Sequence, residues 1–322
     1  MSYKIQTKIA KLSSMHSGIF FLLVITAIIL SKKISFSDTS FITIVCFFLI
    51  STLGVSHGSL DNLKGEKLLK IYKIKHKFLF YFFYIFLSCS VIIIWKLLPF
   101  LALLLFLVIA SYHFGKEDTT PFLFTNYARQ GVISYTKYTK SYYFFIFFKG
   151  FLIIAAPLFY HYQETQDIFR ILDSNFSMHE DFITIFFFLS IYAYIHFNVI
   201  LGSSSYGDGA VISDGASILL LNYFFSPLIA FTLYFCFLHS VRHSISLIST
   251  LDKKHLKKGA QKFIKKALPL TLITAIFFIL AVYFLTNYYV LDDAILKVIF
   301  IGLASLTFPH ILLEYLFEKN EK

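Results

Sequence analysis

Charge is scarce in this chain. Asp, Glu, Lys and Arg make up 15% of its 322 residues, where a soluble domain carries roughly a quarter. Proline occurs 6 times and glycine 13 times, and no Pro/Ser/Gly-rich stretch or internal repeat divides the chain, which argues against soluble modules on flexible tethers. Cysteine is rarer still. Cys46, Cys89 and Cys236 all fall within apolar runs. An odd set without a Cys-x-x-Cys pair excludes a disulfide framework and reads as small core residues.

Apolar residues are plentiful. They make up 57% of the chain, and the mean hydropathy is +0.73. They arrive as separate long runs, whereas one aqueous core would mix them with polar faces. A membrane-crossing helix needs about 20 mostly apolar residues. Ten runs qualify: 17–31, 40–57, 78–96, 99–115, 143–161, 181–201, 210–225, 227–249, 267–288 and 294–316. The weakest is 210–225, because Asp214 and Gly215 interrupt its start. The first is followed by Ser31-Lys32-Lys33, not by a small-residue cleavage site, so it reads as a span and not as a signal peptide. The expected fold is all-α, a polytopic transmembrane helix bundle with residues 1–322 as a single integral-membrane domain.

The net charge of +11 resembles a nucleic-acid signature until the cations are located. They concentrate in the connections 58–77, 116–142 and 250–266, which with ten spans all fall on the same side as both termini. The positive-inside rule places that side in the cytoplasm. Lipid is thus the expected partner, and nucleic acid is not.

Ionisable residues within hydrocarbon are costly and need a reason to be there. Of eleven histidines, His16, His76, His161, His179 and His255 lie in connections or at run edges and are read as surface residues. The other six, His57, His113, His196, His239, His243 and His310, lie on even-numbered runs, in the middle or cytoplasmic half of each. One shared depth points to one shared site. His239 and His243 are four apart, so one helix face presents both imidazoles, as chelation requires. Asp61 follows His57 by four residues and Asp118 follows His113 by five. Each is either a solvated loop acid or the acceptor that fixes its histidine's tautomer. For His196 a structural hydrogen bond is expected, and for Arg242 a carboxylate, carbonyl or headgroup partner. Imidazole ligands suit Zn, Cu, Fe or Ni alike.

The segments around these histidines resemble those of the Brp/Blh family of bacterial and archaeal membrane β-carotene 15,15′-dioxygenases. The matching residues are Gly54, His57, Gly58 and Asp61 in the first segment, and His113-Phe114-Gly115 with Asp118 in the second. The third runs from Phe235 to His239-Ser240-Val241-Arg242-His243, and Pro309-His310 comes last. Leu238 stands where the family often has an aromatic residue, and Asn62 where it often has His. The resemblance implies iron(II), Fe2+, held by His57, His113, His239 and His243. It implies oxidative cleavage of the central double bond of β-carotene by O2 into two molecules of retinal, in the cell (inner) membrane, with the product passed to a microbial rhodopsin. His310 is expected to line the pocket beside the metal as a catalytic residue, positioning substrate or oxygen. Aromatic residues reach 20%, and their flat rings suit a conjugated polyene. The alternative is a transporter for a metal ion or proton using the same histidines. A pathway needs ligands at several depths, and these share one.

Overall fold

The computed structural model describes residues 3–33, 39–129, 140–201 and 209–320. Its elements are α1 (Tyr3–Ser31), α2 (Thr39–Leu49), α3 (Asp61–Ile71), α4 (Phe78–Leu97), α5 (Pro99–Arg129), α6 (Lys140–Tyr160), α7 (Tyr162–Leu172), α8 (Glu180–Leu201), α9 (Ala210–Phe224), α10 (Pro227–Leu233), α11 (Ser240–Leu251), α12 (Leu256–Leu285) and α13 (Leu291–Asn320). Two joints are not α-helical. A π-turn (Ile50–Gly54) and a 3₁₀ stretch (Val55–Leu60) link α2 to α3, and a π-turn (Tyr234–His239) links α10 to α11. The described residues contain no strand, as expected where every backbone polar group must be satisfied within its own segment.

Among the described residues, nine helical segments are long and apolar enough to cross a membrane. The remaining expected run, 210–225, forms α9. Its 15 residues extend roughly 22 Å at 1.5 Å per residue. It lies along α1 and runs in the same direction: Ser213 donates to the Ser17 carbonyl (3.3 Å), and the Lys32 ammonium sits 6.0 Å from the Phe224 ring.

The apolar surface is turned outward as well as inward. On α4 only Trp95 is buried, while Phe82, Phe83, Ile85 and Phe86 are exposed. Such a face suits lipid and not water. Cys89 is on this exposed helix and so corrects the expectation of three core cysteines; Cys46 and Cys236 are buried. Inside, α5 packs on α6 and α6 on α8, while α13 packs on α4, α3 and α2. The α5–α6 crossing depends on two glycines. A Cβ at Gly115 would run into the Ile146 carbonyl, and one at Gly150 into the Ser111 carbonyl. Small residues let helix backbones approach closely in lipid.

The two π-turns face each other. Ser240 donates to the Gly54 carbonyl at 2.7 Å, and a Cβ on Gly54 would lie 2.5 Å from the Phe235 ring. A π-turn adds a residue to one helical turn and re-aims the side chains after it. Here one precedes His57 and the other ends on His239.

Candidate metal centre

Three helices each bring a histidine and a second polar residue four positions later. They are His113 and Glu117 on α5, His239 and His243 at the start of α11, and His310 and Glu314 on α13. An i,i+4 pair lies on one helix face, one turn apart. The result is two layers. In the first, the His113 ring is 5.3 Å from both His239 and His310, centroid to centroid. In the second, single ligand atoms of Glu117, His243 and Glu314 all lie within 4.8 Å of one another. The layers touch: His113, His310 and Glu314 meet the same 4.8 Å limit, and the His243 ring is 5.9 Å from His310.

Two carboxylates orient the histidine layer. Asp118 Oδ1 accepts from His239 Nδ1 at 3.1 Å, and Asp61 Oδ2 accepts from His310 Nδ1 at 2.7 Å. A tyrosine steadies each acid, Tyr234 donating to Asp118 (2.7 Å) and Tyr84 to Asp61 (3.0 Å). A carboxylate only accepts, so each neutral imidazole carries its proton on Nδ1. Nε2 then keeps its lone pair, the form a metal requires. His113, His239, His310, Asp61 and Asp118 are all buried.

Arg242, 1% exposed, holds the wall behind Asp118. Its guanidinium grips Asp214 with two bonds of 2.6 and 2.9 Å, and also reaches Ser17 Oγ (2.7 Å) and the Asp118 carbonyl (3.3 Å). The expected carboxylate partner of Arg242 is therefore Asp214, the same residue that weakened run 210–225. A charge inside an apolar helix is tolerated because its counter-ion faces it.

His113, His239, His243 and His310 gather in the two layers. The 3₁₀ stretch carries the backbone of His57, but its side chain lies outside the described residues. Asp61 and Asp118, open in the sequence between solvated loop acids and acceptors for the histidine before each, are buried and orient histidines of other helices: Asp61 holds His310 and Asp118 holds His239. Each acid lies about one turn beyond the histidine that precedes it in sequence and reaches across to a neighbouring helix. His196 stays apart, stacked on Phe145 at 3.7 Å between ring centroids, instead of the expected hydrogen bond. His16, expected at the surface, is half-buried, and its Nε2 donates to the Phe237 carbonyl at 2.9 Å. Sequence reading missed Glu117 and Glu314, although each follows a histidine by four residues. It also missed Lys64, whose Nζ lies 2.6 Å from Glu314 Oε1.

A buried cluster of imidazoles and carboxylates in a polytopic helix bundle defines a membrane protein able to hold a metal ion. Residues 48–318 match the family described as β-carotene 15,15′-dioxygenase. That is most of the chain, and the chain belongs to this family. It is a carotenoid cleavage dioxygenase. A protein named β-carotene 15,15′-dioxygenase from uncultured marine bacterium 66A03 is 28% identical over 276 residues, covering 84% of this chain and 93% of that protein. No solved structure matches.

Proposed function

We propose that this enzyme cleaves the central double bond of β-carotene with O2, in an iron(II)-dependent reaction, to give two molecules of retinal. The observation that carries the reading is the histidine layer: three buried imidazoles with two of their Nδ1 atoms tied to carboxylates. His113 and His310 beside Glu314 also form a two-histidine, one-carboxylate set, the donor combination of non-haem iron(II) oxygenases. His113, His239 and His310 are assigned as iron ligands. His57 is retained from the family resemblance. This reading adds His310, held by Asp61, to the proposed ligands and keeps His243, whose ring is 5.9 Å from His310, beside them.

When bound, iron(II) supplies the activation of O2 that a closed-shell alkene requires. The protein's share is positioning. Asp118 and Asp61 hold two imidazole tautomers, Tyr234 and Tyr84 hold the acids, and the apolar bundle excludes bulk water from a substrate soluble only in lipid. The close packing of the imidazoles into one cluster supports a single centre over a string of sites across the membrane. Inner-membrane location and transfer of retinal to a microbial rhodopsin follow from the same reading. Expression in β-carotene-accumulating bacteria tests it. Colour should fade as retinal appears, and apocarotenals of other lengths would assign the cut to a different bond.

A further inference from the structure

The end of the bundle where α3 and α12 begin carries a charge imbalance that the metal centre does not use. Segments 58–77 and 250–266 are lysine-rich, and their only acids are Asp61, Glu66 and Asp252. Asp61 is taken by His310 and Tyr84, Glu66 by Lys77 (2.9 Å) and Asp252 by Lys262 (2.9 Å). Lys64 turns inward to Glu314. Lys67 and Lys70 on α3, and Lys257, Lys258, Lys265 and Lys266 on α12, are exposed and have no acid partner among the described residues. The two groups are neighbours because their segments pack together. Leu60 and Leu63 meet Phe263 and Ala267 in a small apolar cluster of their own.

The sequence of α12 sets which way its cations face. Gly259, Phe263, Ala267, Thr271 and Ala275 recur every four residues and are buried, which makes them the inner stripe. Gly259 lies so close to α11 that a Cβ would be 2.5 Å from the Ile248 carbonyl, and Thr271 meets Ser59 Oγ at 2.7 Å. Lys258 and Lys265 stand on the opposite side, facing away from the protein. That outward side changes character within one turn. Gln261 and Lys265 lead on to Leu268, Leu272 and Ile276, all exposed. Cations followed along one helix face by bare aliphatic side chains match the two parts of a phospholipid, headgroup phosphate and acyl chain. A soluble polyanion would fit the lysines and leave the aliphatic stripe uncovered.

We propose that the start of α12, with the adjoining face of α3, binds acidic phospholipid, its phosphate on Lys258 and Lys265 and an acyl chain along Leu268, Leu272 and Ile276. The test needs neither iron nor substrate. Detergent-purified protein would be offered equal amounts of phosphatidylglycerol and phosphatidylcholine, and the retained lipid counted by native mass spectrometry. Wild type should retain phosphatidylglycerol over phosphatidylcholine by about ten-fold or more, a preference that shrinks in high salt. Lys257→Gln, Lys258→Gln and Lys265→Gln together should reduce it to about two-fold or less. Thermal unfolding of that variant in lipid-free detergent should be unchanged, because the three side chains are exposed and unpaired with acids. The start of α1 lies beside α12, with Lys8 Nζ 3.5 Å from the Lys253 carbonyl, so Lys32, Lys33 and Lys96 sit at the far end of the bundle. Changing those three to Gln should leave the preference intact. Equal retention of the two lipids by wild type would overturn the proposal. Equal loss of preference in both triple variants would overturn it too, since net charge alone would then attract the lipid. Full displacement of the lipid by millimolar inorganic phosphate would assign the lysines to a free anion instead.

Discussion

The histidine layer and the carboxylate layer are one helical turn apart on the same three helices, yet they are built in opposite ways. Each described oriented imidazole of the first has a dedicated acid, each acid has a tyrosine, and the Asp118 side is closed off by Arg242 and Asp214. Among the described residues, the acids of the second have no tyrosine partner; Glu314 is held by Lys64, the contacts to His243 are longer, and a cleft lies beside Glu117 and His243. The difference teaches how a bundle in lipid places fixed and accessible chemistry side by side. Carboxylates that point sideways at a histidine lock it, whereas Glu117 borders open space and Glu314 is tied to Lys64.

The comparison breaks most severely at the wall of the first layer. Arg242→Ala leaves Asp214 charged and unpaired within the bundle, and breaking a buried pair costs about 3–5 kcal/mol. Monodisperse protein in detergent should be largely lost, and the paired change Arg242→Met with Asp214→Leu should recover more of it than either single change. Next come the ligands. His113→Ala and His310→Ala should abolish retinal formation and release iron, whereas His196→Ala, stacked on Phe145 away from the cluster, should keep activity. Metal analysis alongside retinal assay checks both.

The orienting acids come third. Asp118→Asn and Asp61→Asn should each weaken iron binding by about 10–100-fold, measured by chelator competition. Smallest are the tyrosines. Tyr234→Phe and Tyr84→Phe each remove one hydrogen bond worth about 1 kcal/mol, so iron affinity should fall only several-fold. Equal effects from acids and tyrosines would mean that the acids do not hold the rings.

The fold was legible because lipid imposes a simple rule. A run such as 78–96 has no soluble reading, and α4 occupies nearly those residues. The shared depth of the histidines was legible for the same reason, since charge-prone residues in hydrocarbon stand out. Which acid serves which histidine was not. Sequence shows neighbours along one helix, while Asp61 and Asp118 act across to the next. The π-turns at Ile50–Gly54 and Tyr234–His239 were equally hidden, because hydropathy follows composition and does not register one added residue in a turn. Glu314 was available in principle: an acid four residues after a buried histidine, within an apolar run, carries the same cost argument that singled out the histidines.

The central claim is that the histidine layer is an iron site that cleaves β-carotene at its centre. The direct measurement is retinal formation by purified protein in lipid nanodiscs supplied with β-carotene and O2, before chelation, after chelation and after readdition of iron(II). Retinal should be the product, disappear when the metal is removed and return with iron. Retinal formation that survives complete metal removal, or apocarotenals in its place, would contradict the account.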